Sequence, residues 1–386
     1  MSEQSEIKRT SCIFGAGASA AYGLPTLNQL PKAIVEFIAS CNSGYLKESF
    51  ELVKKIALEL HGKDLEKEWI DYEMLLGQLD YFIRNNSIIR VGEYLHGRES
   101  LQRAFTALTR IVYCTIDSKT SKFSEDKYLI ISNERELYRA FFDRIWSKTV
   151  NENRVPVIST ISFNYDCKLD DEYQDHIWGV LGTESGHNIV PHYLIQLYTV
   201  SDAAHMKAGL QYKWSYSKHH ELIKIHGSFD WYKCPNCKTI HNFKIVNSYS
   251  VLYDESENLE DYRDFFKKLA CGICGTRFEH ELVAPILGKN ENLTARELWD
   301  GTFKSLIEAH EIIVVGYSFP QSDLSFKYLL QHALNWNTFR PKITVVDPNT
   351  DESYWNKVSE VFSLNNVEEF TRFNGTFSNY IDSFEK

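Results

Sequence analysis

Five short apolar segments, each running directly into a cluster of small or polar residues, constrain this chain more than any other feature. The segments are Ser11-Cys12-Ile13-Phe14, Val155 to Phe163, Leu222 to Ile225, Ile312 to Val315 and Ile343 to Val346. Each is short and rich in β-branched or aromatic residues, the pattern of strands buried on both faces of a parallel sheet. The clusters are Gly15-Ala16-Gly17-Ala18-Ser19, Asn164-Tyr165-Asp166, His226-Gly227-Ser228, Gly316-Tyr317-Ser318 and Asp347-Pro348-Asn349. Ligands of open α/β sheets bind outside the carboxyl ends of the strands. The recurrence therefore predicts an α/β fold with a parallel sheet and one shared site at its carboxyl edge.

The intervening segments divide the chain. Leu46, Phe50, Val53, Ala57 and Leu60 recur at helical steps, as do Leu75, Leu79, Phe82 and Ile83, then Leu101, Phe105, Leu108 and Val112, then Leu137, Phe141 and Ile145. Residues 31–150 accordingly read as a helical module inserted into a sheet domain made of 1–30, 151–230 and 282–350. Residues 168–218 are rich in His, Tyr and Trp without clear periodicity. Residues 231–281 hold paired cysteines. The tail, 351–386, is mixed, with helical character and no recognisable chemistry.

Composition excludes some classes. The 386 residues are 43% hydrophobic and 14% aromatic, enough for a core and against extensive disorder. The net charge of -10 argues against strong direct binding to nucleic-acid phosphates. No apolar run is long enough to span a membrane, and the N-terminal residues lack the apolar stretch of a signal peptide. A cytoplasmic location is expected.

The eight cysteines are of two kinds. Cys12, Cys41, Cys114 and Cys167 are scattered. Cys234-Pro-Asn-Cys237 and Cys271-Gly-Ile-Cys274 are two CxxC knuckles, and two such knuckles close a tetrahedral zinc site. Four thiolates leave no open coordination position, so a small zinc-ribbon module with a structural Zn2+ is expected.

The other candidate residues follow the strands. Glycines at 15 and 17 let backbone approach a pyrophosphate, with Ala16 and Ser19 beside them. Gly23-Leu24-Pro25-Thr26 makes a rigid loop suited to folding over a ligand. Asn164 carries both donor and acceptor for a water or a ribose hydroxyl, and Asp166 is placed to hold it. His226 titrates near neutrality and suits proton transfer. Gly316 and Ser318 offer close approach and a hydroxyl, and Asp347 with Asn349 ends the last strand where an acid often takes an adenosine ribose.

In this order the motifs resemble the sirtuin (silent information regulator 2) family: a GAG-S loop, a G-x-P segment, an N-x-D strand end, an HG strand end, a four-cysteine ribbon and a G-x-S strand end. The resemblance implies a Rossmann-like domain that binds NAD+ as substrate, lined by Gly15, Ala16, Gly17, Ser19, Pro25, Thr26, Asp166, Gly316, Ser318, Asp347 and Asn349. Asn164 and His226 match the catalytic positions. The departures also carry meaning. Gly23-Leu-Pro-Thr-Leu-Asn28 lacks the Phe and Arg of the deacylase loop, and Ala284-Pro-Ile-Leu-Gly-Lys289 replaces the strand that pairs with an acyl-lysine peptide. Gly316-Tyr-Ser-Phe-Pro-Gln-Ser-Asp323 looks like the prokaryotic branch that depletes NAD+ in anti-phage defence. The implied activity is an NAD+ glycohydrolase releasing nicotinamide and ADP-ribose. The alternatives are a protein deacylase and a non-enzymatic NAD+ or ADP-ribose binder. A lethal activity needs restraint, so a homo-oligomer or a separately encoded partner such as a HerA-type ATPase is expected.

Overall fold

The computed structural model describes residues 6–68, 70–91, 94–120, 122–123, 129–130, 136–181, 189–193, 197–199, 215–238, 240–242, 271, 274–276, 279–282, 293–320, 323–362 and 366–384. The chain divides into two compact units. The first comprises Met1–Ala21, Arg135–Ser228 and Leu287–Lys386, and the second Tyr22–Glu134 and Phe229–Ile286.

The first unit is α/β, built on a seven-stranded sheet. Its strands lie in the order Glu369–Asn374, Lys342–Asp347, Glu311–Val315, Ile7–Phe14, Val155–Ser162, Ser215–Lys224, Ile189–Tyr193. Every pairing is parallel, and the register is continuous through the first six strands. The last pairing slips between Val190 and His192. All five sequence-predicted strands are present.

Two strands were not expected. Glu369–Asn374 lies in the tail given helical character, between the helices Glu352–Val361 and Phe377–Ser383. Ile189–Tyr193 lies in the 168–218 insertion, after the helix Lys168–Leu181. Both close the sheet's edges, where a strand loses the continuous apolar run that marks the centre.

Phe14 anchors the packing of this unit. It is fully buried, and the rings of Tyr138, Phe141, Phe142 and Phe377 stand edge-on around it at 5.2–5.9 Å. Edge-to-face contact suits the ring quadrupoles. Three of those rings come from the helix Leu137–Asn151, which periodicity grouped with the helical insertion. These contacts make it a cover of the sheet.

The second unit holds the helices Leu30–Ser40, Gly44–His61, Tyr72–Arg84 and Arg98–Thr120. Gly44–His61 shows why such segments form helices. Ser43 caps it by accepting from Leu46 N–H, Gly62 ends it in the left-handed region, and Leu46, Phe50, Val53 and Ala57 are buried along one face. No described helix is long and apolar enough to cross a membrane.

Candidate functional site

The register brings the ends of five strands to one level. Phe14 pairs with both Val315 and Ser162, Ser162 with Lys224, and Val315 with Val346. The hydrogen-bond ladder continues one step past the strands: Gly15 N–H reaches Val315 O, Phe163 N–H reaches Phe14 O, Ile225 N–H reaches Ser162 O, and Gly316 N–H reaches Val346 O. The polar clusters therefore leave the sheet from a single row.

The first and fourth clusters interlock through glycine. Gly17 N–H donates to Gly316 O at 2.9 Å, and Gly316 adopts φ +60°. A Cβ at Gly316 would lie 2.2 Å from Ala18 N, and one at Gly15 2.6 Å from Gly316 O. Both glycines are needed for backbone to touch backbone here, whatever else the loops bind.

Ser19 is the centre of a buried polar cluster. Its hydroxyl donates to Asp166 Oδ2 at 2.9 Å and accepts from Asn164 Nδ2 at 3.0 Å. A hydroxyl has one proton, so Tyr138, whose oxygen lies 2.9 Å away, donates to Ser19. Ser19 thereby uses its one donor and both acceptor sites within the protein. Burial, and then the Asp166 carboxylate, push the Tyr138 phenol well above its ordinary range. Asn164 is similarly committed: Nδ2 also donates to Gly15 O at 3.0 Å. What it offers a water or a ribose hydroxyl is Oδ1.

Asp166 links this cluster to a buried cation. Its second oxygen accepts Lys168 N–H at 3.1 Å, starting the Lys168–Leu181 helix, and its backbone oxygen accepts from Lys224 Nζ at 2.6 Å. Lys224 is fully buried and ion-paired to Asp170 Oδ2 at 2.7 Å. Neither Lys224, Tyr138 nor Asp170 was among the sequence candidates.

His226 follows the strand that carries Lys224. It is buried, with Phe163 edge-on at 5.1 Å and Tyr165 stacked at 5.9 Å, the two residues flanking Asn164. Its Nε2 lies 3.5 Å from Asp323 Oδ1, and Tyr317 donates to Asp323 Oδ2 at 2.7 Å. Asp323 stands at the N-cap of the helix Leu324–Trp336 yet makes no side-chain cap hydrogen bond. A capping acid ordinarily accepts from the first turn. This one is turned instead to a histidine and a phenol. Asp323 closes the Gly316–Asp323 run, so that motif is its sequence signal.

The remaining candidates make contacts of their own. Asp347 accepts from Asn349 N–H and Tyr354 O–H at 2.8 and 3.0 Å, and Ser318 is exposed. Pro25 and Thr26 fall in the second unit. There Thr26 accepts from Gln29 and Leu30 N–H and opens the Leu30–Ser40 helix.

The four paired cysteines also lie in the second unit, with all four sulfurs within 4.8 Å of one another. The Cys234–Cys274 and Cys237–Cys271 separations are 3.4 and 3.9 Å. A tetrahedral ion with bonds of about 2.3 Å to sulfur needs edges of about 3.8 Å. The two knuckles share one geometry. Lys238 N–H and Gly275 N–H close the turns onto Cys234 O and Cys271 O, both with φ positive. Cys237 N–H also donates to Cys234 Sγ at 3.3 Å. Thr276 pulls the Cys274 thiol down to about 5, and the adjacent Cys274 sulfur pushes Cys237 up to about 12. Four such close sulfurs ionise together only around a cation, so the donor set fits one structural metal ion. Elemental analysis of the purified protein is expected to return one metal per chain. Cys237→Ser and Cys271→Ser are each expected to lose it and to lower the thermal midpoint. Full retention of metal by both variants would exclude the site.

The chain matches no protein-family model and no curated protein.

Proposed function

We propose that this chain is a sirtuin-like NAD+ glycohydrolase with a Rossmann-like sheet domain and a zinc ribbon. The observation that carries the reading is the single row of strand ends, with Asn164 and His226 buried beside it and the Gly15–Gly17–Gly316 backbone contact within it. A parallel sheet presents its ligand site there.

Nicotinamide in NAD+ is a cationic leaving group. Loss of it leaves an oxocarbenium-like ribose, which water captures to give ADP-ribose and a proton. Asn164 Oδ1 orients the water or a ribose hydroxyl. His226 accepts the proton, and the Asp323 carboxylate at its Nε2 balances the resulting charge. Asp347 and Asn349 suit the adenosine end, and glycine backbone suits the pyrophosphate. Because such an activity is lethal when unrestrained, the working form is an oligomer or a complex with a separately encoded ATPase, acting in the cytoplasm against phage.

The test is nicotinamide and ADP-ribose release from NAD+ by the purified chain, alone and with the product of the neighbouring gene. Wild type is expected to release both. His226→Ala and Asn164→Ala are each expected to slow release by about 10²–10⁴-fold, the range for a lost acid–base group. Turnover that required an acyl-lysine peptide would replace this reading with a deacylase. Tight NAD+ binding without turnover in every assembly state would replace it with a binding module.

A further inference from the structure

The helix Leu324–Trp336 buries one face and leaves the other bare. Phe326, Leu330, Ala333 and Leu334 are buried, with Phe326 edge-on to Phe163 at 4.7 Å. On the opposite face Leu324, Tyr328, His332 and Trp336 recur every four residues, and all are exposed. Tyr328 is 61% and Trp336 65% exposed, and Phe339, just past the helix, is 51% exposed. Among the described residues, four of the ten large hydrophobic side chains that are exposed fall within 324–339. Tryptophan is highly buried on average, and a contiguous apolar stripe at a protein surface marks an interaction site.

The stripe is held in place from beneath. The Trp336 ring stands edge-on to His332 at 6.0 Å, and His332 stacks on Phe303 of the neighbouring helix Leu293–Ile307 at 5.3 Å. Phe339 stacks on His310 at 4.0 Å, and its N–H donates to Asn337 Oδ1 at 2.8 Å. Asn337 is buried and donates in turn to Leu306 O and Ala309 O, both at 2.8 Å. Rings already fixed lose little entropy on binding.

We propose that this stripe is the contact between two copies of the chain, related by a two-fold axis passing near His332. The stripe is self-complementary, as a two-fold contact requires. With His332 against its own image, Tyr328 lies alongside the partner's Trp336, and Leu324 reaches the partner's Phe339. Residues four apart also form the ridge by which two helices most commonly pack. The area is sufficient. At about 150–250 Å² for a whole aromatic side chain, Tyr328, Trp336 and Phe339 leave roughly 350 Å² exposed on each chain. Two copies bring roughly 700 Å², the apolar share of an interface of about 1,200 Å², which is the lower end for a stable complex. Charge points the same way. Residues 324–339 contain no acid, and Lys327 is their one charged side chain, His332 aside. Two copies of a chain with net charge -10 therefore meet here without facing carboxylates. An anionic lipid surface would require a basic face, which one lysine does not make.

The contact does not depend on what the strand-end site binds. The test is sedimentation equilibrium of the full chain together with photo-cross-linking. Wild type is expected at an even multiple of the chain mass. Tyr328→Glu with Trp336→Glu is expected at half that mass, with the dissociation constant raised at least about 100-fold, the effect of losing aromatic hot spots. Its thermal midpoint is expected to stay near that of wild type, because both side chains are exposed. With p-benzoylphenylalanine in place of Tyr328, irradiation is expected to give a dimer on a denaturing gel, joined to the peptide that holds the partner's Trp336. A wild type that stays monomeric, whatever other protein the stripe then takes, would overturn the proposal. So would an unchanged mass in the folded double variant, the absence of a cross-linked dimer, or a cross-link to a peptide without Trp336. Should the double variant fail to fold, the cross-link decides it.

Discussion

Gly316→Ala is expected to yield little soluble protein, or a protein destabilised by more than about 4 kcal/mol. Two costs combine. The residue sits at φ +60°, where a side chain costs about 1–2 kcal/mol. The added methyl would also lie 2.2 Å from Ala18 N and 2.4 Å from the Gly17 carbonyl carbon, both backbone atoms that no rotamer change can move aside. Gly23→Ala is the control that separates these terms. Gly23 has φ +79° but open space around its Cβ position, so it is expected to show the conformational cost alone. Urea unfolding of the two variants measures the difference. Equal, small losses would mean that the loops after the first and fourth predicted strands do not touch.

Lys224→Met is expected to cost about 3–5 kcal/mol, the range for breaking a buried ion pair from one side. Removing the ammonium strands the Asp170 carboxylate in a buried setting and takes the donor from Asp166 O. Both acceptors belong to the turn that starts the Lys168–Leu181 helix, so the damage reaches Asp166 and, through it, Ser19. Lys224→Met with Asp170→Leu is expected to recover much of the loss, because an apolar pair of similar volume avoids the desolvation of both charges. A double-mutant cycle read by denaturant midpoint checks this. Additive losses would show that the two side chains are not coupled.

The centre of the sheet was legible because strands buried on both faces must be apolar throughout. Glu311–Val315 and Val155–Ser162 are almost wholly buried, and their residues spell that out. Glu369–Asn374 has no buried residue and is mostly exposed, carries Arg372 and Glu369, and reads as tail. The grouping of residues at the strand ends was legible wherever a loop motif held the residue, as at Asn164, Asp166, His226 and Gly316. It was not legible where the partner comes from far along the chain. Nothing local ties Tyr138 to Ser19, 119 residues earlier, or Lys224 to Asp170. Nor does local sequence show that the Ser19 hydroxyl is used up inside the protein. Asp323 was within reach, since it ends a motif already singled out.

The interleaving of the two units also sets a timetable for synthesis. The strand Ile7–Phe14 lies at the middle of the sheet and leaves the ribosome before the sheet's other six strands. One of its two neighbours, Glu311–Val315, comes much later in the chain, and the contact between Arg9 and His310 spans 301 residues. At about 5–20 residues per second, that neighbour follows by roughly 15–60 s. Throughout that interval one edge of the Ile7–Phe14 strand has no native partner, and the Gly15–Gly316 contact cannot form. A nascent chain of this design holds its row of strand ends incomplete until Glu311–Val315 has been made.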